Sequence, residues 1–190
     1  MRISSPFRHG VFVAAAMAAI SPAISGAGAA SRLIIDPQTA FAMQVVAAHN
    51  RLRAGQAVQP TLWDRQLSAS ADAYALELAR TGRFTHSSKE SRQGHGENLW
   101  MGTKGAFAFD RMVADWGSEK WMFRAGRFPD VSTTGRWEDV GHYTQIVWPT
   151  SVRVGCALRS SAEYDYLVCH YGQAGNVFGE RVGVVGHASR

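Results

Sequence analysis

Residues 141–148 read GHYTQIVW, a run in which one histidine stands among aromatic, amide and hydroxyl side chains. A loop-like segment, residues 126–140, precedes this run, and apolar runs typical of strands follow Trp148-Pro149. We interpret residues 141–148 as a loop-to-strand segment. Irregular segments carry functional residues more often than helix faces do, because a rigid scaffold positions them. His142 is therefore the first candidate site residue.

The strand-type runs after this segment predict an antiparallel hairpin. They span residues 152–158 and 164–171 and are joined by a polar stretch, RSSAE. A turn centred on residues 161–163 places Cys156 and Cys169 opposite each other or nearly so, within disulfide range. These are the only two cysteines. An even number in an oxidising compartment favours one disulfide over two free thiols, and no neighbouring Cys or His pair indicates a zinc finger.

Three helices are predicted before the hairpin. The first begins at Asp36-Pro37, a side-chain cap followed by proline, and ends at Gly55. The second runs from Asp64 to about Thr81, and the third covers residues 107 to about 122. Residues 83–103 are rich in Ser, Gly and His and are predicted as loop and short turns. Several helices followed by a small antiparallel sheet indicate an α+β domain.

The amino terminus has the layout of a secretory signal peptide. A basic start precedes an apolar core at residues 11–20 and an Ala-Gly-Ala triplet, so residues 1–29 are predicted to be cleaved near Ala29. An uncleaved anchor is the alternative. Removing 29 of the 190 residues leaves 161, enough for one domain, predicted at residues 36–180. We expect a secreted or periplasmic monomer without stable membrane insertion after cleavage.

The charge and motif content exclude several function classes. The net charge of +5 falls to +3 without Arg2 and Arg8, and no Lys/Arg run is present, so nucleic-acid binding is not indicated. The chain has no G-x-S-x-G, H-E-x-x-H or phosphate-loop motif. The remaining candidates are histidines and glutamates, although spacing alone does not show that they converge. They are His86, Glu97, Glu119 and His142.

Two stretches resemble the signature motifs of one family. Residues 141–148 match the first signature of the CAP superfamily at every position, and residues 169–176, CHYGQAGN, resemble the second, with Gln173 where proline is usual. This superfamily comprises cysteine-rich secretory proteins, antigen 5 and plant pathogenesis-related class 1 proteins. Shorter motifs in the family order extend the resemblance over residues 36–179: His49-Asn50 with Arg53, Leu62-Trp63-Asp64, His86-Ser87, Gly96-Glu97-Asn98-Leu99, Trp116 with Glu119, and Val154-Gly155-Cys156-Ala157.

The resemblance implies a fold and a site. The fold is an α-β-α sandwich, a small antiparallel sheet between helices, with a broad cleft that holds two histidines and two glutamates. By their place in the motifs these are His86, Glu97, Glu119 and His142. In several relatives the two histidines bind a divalent metal, commonly zinc, so His86 and His142 are the expected ligands. With two protein ligands the Zn²⁺ is expected to be weakly held and exchangeable, and the glutamates to orient the histidine rings.

For the other motif residues we expect structural roles. They comprise polar residues that tie the first helix to neighbouring backbone, core aromatics, and buried polar side chains near the cleft: His49, Asn50 and Arg53; Tyr143, Trp148, Trp116 and Trp63; Thr144 and Gln145. His170 is predicted to be an ordinary strand residue. His95 has no family counterpart, and whether it reaches the cleft is open.

Three functions are compatible with the sequence. The resemblance favours a non-enzymatic binding module for a sterol, another lipid or a cell-surface ligand. The aromatic loop motif of the sterol-binding relatives is not intact here, which disfavours a sterol. The alternative is a metal-dependent hydrolase that uses the same cleft, with a metal-bound water and a glutamate base. The third possibility is a defence factor that acts on another cell's surface.

Overall fold

The computed structural model describes residues 35–183. The predicted signal peptide, residues 1–29, lies outside the described residues. Among residues 35–183, none of the helices has the length and apolar character needed to cross a membrane. In chain order the elements are α1 (Pro37–Ala54), β1 (Leu62–Trp63), α2 (Arg65–Thr81), α3 (Lys89–Arg92), β2 (Gly96–Thr103), α4 (Phe109–Ser118), β3 (Gly126–Arg127), α5 (Gly141–Ile146), β4 (Arg153–Ser160), β5 (Tyr164–Gly172) and β6 (Arg181–Val182).

A four-stranded sheet in the order β1-β4-β5-β2 forms the middle of the domain. The predicted hairpin is confirmed: β4 and β5 are antiparallel, with Cys156 directly opposite Cys169. Those two cysteines form the expected disulfide. β2 pairs antiparallel with the other edge of β5, and the short β1 runs parallel to β4. A separate two-stranded sheet joins β3 to β6.

Helices cover both faces of this sheet. On one face, α2 packs its small and apolar side chains against β4, β5 and β2 in one buried cluster: Ala71, Ala75, Leu78, Leu99, Ala157, Tyr166 and Val168. On the other face a larger buried cluster joins side chains of α1, α4 and α5 to the sheet, among them Val45, Trp116, Ile146, Cys156, Leu167 and Tyr171. This is the predicted α-β-α sandwich.

The first two helices begin where the sequence predicts. The Asp36 carboxylate accepts a hydrogen bond from the Thr39 amide at 3.0 Å, and Pro37 opens α1. The Asp64 carboxylate accepts from the amide of Leu67 at 3.0 Å. α2 ends at Gly82, whose φ of 69° is a left-handed conformation that glycine adopts without strain.

Three segments differ from the prediction. Residues 141–146 form the helix α5 instead of the predicted loop-to-strand segment, and residues 96–103 form the strand β2 instead of the predicted loop and short turns. The helical part of the third predicted helix is shorter, ending at Ser118 before a 3₁₀ turn, residues 119–121. α5 has too few residues to show a helical period. In β2 the first five residues are all buried, so no apolar-polar alternation marks it as a strand.

Candidate functional site

Glu97 is the centre of the first half of the site. It lies on β2 and its side chain is fully buried, whereas that of His86 is 55% exposed. His86 Nδ1 lies 2.6 Å from Glu97 Oε1, which also accepts the Ser87 amide at 3.0 Å. The other carboxylate oxygen, Oε2, accepts from Ser87 Oγ at 2.7 Å and contacts His170 Nε2 at 3.1 Å. One carboxylate therefore holds three side chains by hydrogen bonds, and Arg92 Nη1 lies 3.6 Å from its Oε1.

These partners keep Glu97 ionised. Burial alone would raise the pKa of its carboxyl, because a charge is costly away from water. Hydrogen bonds from His170, His86 and Ser87 outweigh that effect and hold the pKa of Glu97 well below its ordinary value. An ionised carboxylate only accepts hydrogen bonds, so His86 Nδ1 carries the proton and donates it.

The second half of the site repeats this arrangement. Glu119, the first residue after α4, receives His142 Nδ1 at 2.6 Å on Oε1 and the Tyr143 amide at 2.9 Å on Oε2. The His142 ring stacks on Trp116 with 6.0 Å between ring centroids and 17° between planes. Trp116 in turn donates its Nε1–H to the Leu99 carbonyl at 3.1 Å. The end of α4, the start of α5 and β2 together hold this histidine.

Neighbouring residues of β2 connect the two halves. Glu97 belongs to the first pair, and the next residue, Asn98, donates from Nδ2 to the His142 carbonyl at 3.1 Å. The same amide nitrogen lies 3.1 Å from the Tyr171 hydroxyl. The four predicted residues thus form two His–Glu pairs attached to one strand.

Each pair leaves one ring nitrogen of its histidine available. Within residues 35–183, neither His86 Nε2 nor His142 Nε2 has a hydrogen-bond partner. Over the same residues, the only three ligand atoms within 4.8 Å of one another belong to His49, Cys156 and Cys169, and the two cysteines are disulfide-bonded. Within the described residues, no third ligand side chain therefore forms such a group with His86 and His142.

His170 is the functional candidate that sequence reasoning missed. His170 lies on the strand β5 as predicted, and its buried imidazole also bridges Glu97 and Ser70, with Nδ1 3.1 Å from Ser70 Oγ. The pairing of β2 with β5 places it directly opposite Glu97. This contact depends on strand register, which the sequence did not reveal. The His95 ring centroid lies 6.5 Å from that of His170, and burial lowers the pKa of His95.

The polar residues of α1 have the predicted structural roles. Asn50 exchanges hydrogen bonds with the Thr61 backbone, at 3.1 Å and 2.7 Å. The buried Arg53 donates to the carbonyls of Gln59, Ile146 and Trp148. His49, also buried, contacts the Val45 carbonyl and the Tyr171 hydroxyl.

The predicted core aromatics and buried polar residues of the signature are confirmed as well. Trp116, Tyr143 and Trp148 are buried, and Trp63 packs against their cluster. Thr144 donates to the Val140 carbonyl at 3.0 Å, and Gln145 donates to Ser151 Oγ at 3.0 Å.

Two cavities flank the sheet. The larger, about 1400 Å³, lies between α1, α2 and the outer edge of β4 and includes none of the four predicted site residues. The smaller, about 540 Å³, lies beside α2 and is lined by His86, Ser70 and His170 among others. The His–Glu pairs and the larger of these two cavities, an apolar groove, are therefore separate places on the molecule.

Comparison with known proteins identifies the family. The model of the cysteine-rich secretory protein family, CAP, matches residues 46–171. The chain belongs to this family. Pathogenesis-related protein 1C of Nicotiana tabacum is 38% identical over 134 residues, 70% of this chain and 75% of that protein. Secreted protein RBT4 of Candida albicans is 32% identical over 145 residues, 74% of this chain and 37% of that protein.

Solved structures of similar fold support the same architecture for this CAP domain. The crystal structure of NaASP2 with Zn2+ matches with a TM-score of 0.60 and 24% identity, covering 76% of this chain and 85% of that one. The structure of BmVAL-1 also gives a TM-score of 0.60, with 21% identity, over 82% of this chain and 86% of that one.

Proposed function

We propose that this CAP protein is an exported binding module whose two His–Glu pairs hold an exchangeable divalent metal, Zn²⁺. The observation that carries the proposal is the repeated 2.6 Å contact between a histidine Nδ1 and a glutamate carboxylate, His86 with Glu97 and His142 with Glu119. Relatives named as pathogenesis-related and as secreted proteins support the export.

The donor set fits zinc. A histidine ligand of a metal characteristically donates its second ring N–H to a carboxylate, which fixes the tautomer and raises the basicity of the metal-binding nitrogen. In both pairs Nδ1 is the nitrogen held by the carboxylate, so Nε2 is the nitrogen that would bind the metal. The NaASP2 crystal structure was determined with Zn2+, which agrees with a metal site on this fold.

With only two imidazole ligands from the protein, the affinity for Zn²⁺ is expected to be modest. Structural zinc sites are closed by four protein ligands, whereas open sites keep positions for water or another ligand. When bound, the metal would supply a local positive charge that attracts an anionic group of a partner molecule. The chain's own contribution is to hold the two rings: Trp116 stacks on His142, and Ser87 and His170 fix the carboxylate beneath His86.

Isothermal titration of zinc into chelator-treated protein tests the proposal. The parent protein should bind zinc reversibly, and a His86→Ala, His142→Ala double variant should not. Glu119→Gln should weaken binding about 10–100-fold, because the amide no longer orients the His142 ring as a carboxylate does. Glu163→Gln, an exposed glutamate away from the site, is the matched control and should bind like the parent. Equal binding by the double variant and the parent would refute the metal site.

A second candidate function, binding of an acyl lipid, has its own observation. Apolar side chains line the groove of about 1400 Å³: Phe41, Ala42, Met43, Val46, Ala47, Trp63, Ala69, Ala157 and Leu158. Arg65 also lines it and forms no ion pair within residues 35–183, whereas Arg159 is paired with Asp72 at 2.7 Å. An apolar groove with one unpaired cation fits an acyl chain with an anionic head group.

Displacement of a fluorescent fatty acid by unlabelled fatty acids and by cholesterol tests this second candidate. Fatty acids should compete and cholesterol should not. Val46→Glu should abolish binding, since it places a charge within the apolar lining, and Arg65→Glu should weaken it several-fold. Arg80→Glu, on the same helix but outside the groove, should have no effect. If the parent shows no binding of the fatty acid, the groove does not hold acyl lipids.

A further inference from the structure

Three side chains from three elements form a continuous hydrogen-bonded series beside α2. Ser70 Oγ, on α2, lies 3.1 Å from His170 Nδ1, on β5. The other nitrogen of the same ring, Nε2, lies 3.1 Å from Glu97 Oε2, on β2. The proposed metal site does not use Ser70, and the family signatures do not include it.

The partners determine where the protons lie in this series. The Glu97 carboxylate accepts hydrogen bonds, so His170 Nε2 carries the proton and donates it. In the neutral ring Nδ1 is then the acceptor, and the Ser70 hydroxyl donates to it. A hydroxyl that donates to an imidazole held by a carboxylate is the arrangement in which serine becomes a nucleophile.

The series is open to small molecules at the serine end. His170 is 2% exposed and the Glu97 side chain is fully buried, whereas Ser70 is partly exposed and lines the cavity of about 540 Å³. Arg83 lines the same cavity, and its guanidinium makes no ion pair within residues 35–183. The cavity is therefore lined by the Ser70 hydroxyl, which is hydrogen-bonded to the His170 imidazole, and by the guanidinium of Arg83, which has no ion pair within residues 35–183.

We propose that Ser70 is a nucleophile that accepts the acyl group of small carboxylic esters, with His170 as its general base. Ser70 Oγ bonds to the ester carbonyl carbon while its proton passes to His170 Nδ1. The resulting tetrahedral oxyanion re-forms the carbonyl, and the alcohol leaves with the proton from His170. Water releases the acyl group by the same steps and restores the serine.

The position of Ser70 indicates slow turnover. It lies within α2, where the backbone N–H groups are engaged in helical hydrogen bonds and do not form an oxyanion hole. Arg83, which lines the cavity, carries a guanidinium that can donate to an oxyanion. With an activated ester, the leaving group departs more easily than the serine oxygen. Acylation of Ser70 is then faster than hydrolysis of the acyl-serine. We therefore expect an accumulated acyl-serine.

The experiment uses p-nitrophenyl acetate on the exported protein in the presence of a chelator. The parent should release a burst of p-nitrophenolate approaching one equivalent, and peptide mass spectrometry should place the acetyl group on Ser70. Ser70→Ala should remove the burst. His170→Gln should slow acetylation about 100-fold or more, the usual contribution of a general base. The chelator keeps this result independent of zinc binding.

Ser91→Ala is the matched control, because Ser91 lines the same cavity but donates to the Ser88 carbonyl and has no histidine partner. It should react like the parent. Circular dichroism and thermal unfolding of each variant identify any loss of fold. Locating the acetyl group by mass spectrometry on the parent requires no substitution. The proposal is overturned if the acetyl group is absent or lies on other residues. It is also overturned if Ser70→Ala reacts like the parent.

Discussion

His49 is a histidine whose two ring nitrogens are both engaged inside the core. Its Nδ1 donates to the Val45 carbonyl at 2.8 Å, so Nε2 accepts from the Tyr171 hydroxyl at 2.9 Å. Asn98 then donates to the Tyr171 oxygen. Burial is the main reason that the pKa of His49 falls to about 4, with a smaller effect from the charge of Arg53. The ring is therefore neutral in the folded protein at neutral pH.

This depressed pKa predicts destabilisation by mild acid. Between pH 6.5 and pH 4 the unfolded state takes up a proton that folded His49 does not, so stability is highest above pH 6.5 and falls with pH. We expect a loss of about 2 kcal/mol by pH 5 and about 3 kcal/mol near pH 4, where it levels off. Urea unfolding at pH 7, 6 and 5 measures the loss.

His49→Gln separates this effect from other titrations. Glutamine does not titrate, so the variant, although less stable overall, should lose much less stability between pH 7 and pH 5. His95, whose pKa burial also lowers, accounts for a remaining part. The Glu97 carboxyl contributes only below its ordinary pKa of 4.5. An equal loss in the variant and the parent would show that His49 is not the source.

At the scale of elements, the contact between α2 and β4 is set by backbone atoms. A Cβ on Gly155, in β4, would lie 2.1 Å from the Ser68 nitrogen and 2.6 Å from the Asp64 oxygen. Both are main-chain atoms at the start of α2, so no side-chain rotation relieves the overlap. The absence of a side chain at residue 155 lets the helix lie directly on the strand.

We therefore expect Gly155→Ala to lower the free energy of unfolding by about 1–3 kcal/mol, the usual cost of overpacking. Gly55→Ala is the matched control, since Gly55 has a φ of −65° and a Cβ there meets only the Leu52 oxygen at 3.4 Å. That change should be neutral or stabilise by up to about 1 kcal/mol. Urea unfolding at pH 7 compares the two, and a neutral Gly155→Ala would contradict the close packing.

Across the whole molecule, the disulfide constrains the hairpin that carries His170. Cys156 and Cys169 are directly opposed on β4 and β5, 13 residues apart in sequence, and both are buried in the larger core cluster. A crosslink that closes a loop of this length stabilises a fold by about 3 kcal/mol, because it lowers the conformational entropy of the unfolded chain.

The free energy of unfolding of a Cys156→Ala, Cys169→Ala double variant should therefore be about 3 kcal/mol lower than that of the oxidised parent. Reductant should lower the stability of the parent and leave the double variant unchanged. The comparison is made by urea unfolding with and without dithiothreitol. If reductant has no effect on the parent, the disulfide does not contribute to stability.

Much of this protein could be predicted from its amino-acid sequence. Local rules located the start of α1 at Asp36, the end of α2 at Gly82 and the hairpin, since caps, periodicity and turns depend on neighbouring residues. The run GHYTQIVW identified the CAP family and pointed to His142, and the shorter motifs pointed to His86, Glu97 and Glu119.

How these residues meet depends on the packing of distant elements. α5 is too short, and β2 too uniformly buried, for local patterns to reveal them. The pairing of Glu97 with His170, and of His170 with Ser70, depends on strand register and on α2 packing over β5. These contacts join residues far apart in the chain, so their geometry follows from long-range packing, which no local pattern encodes.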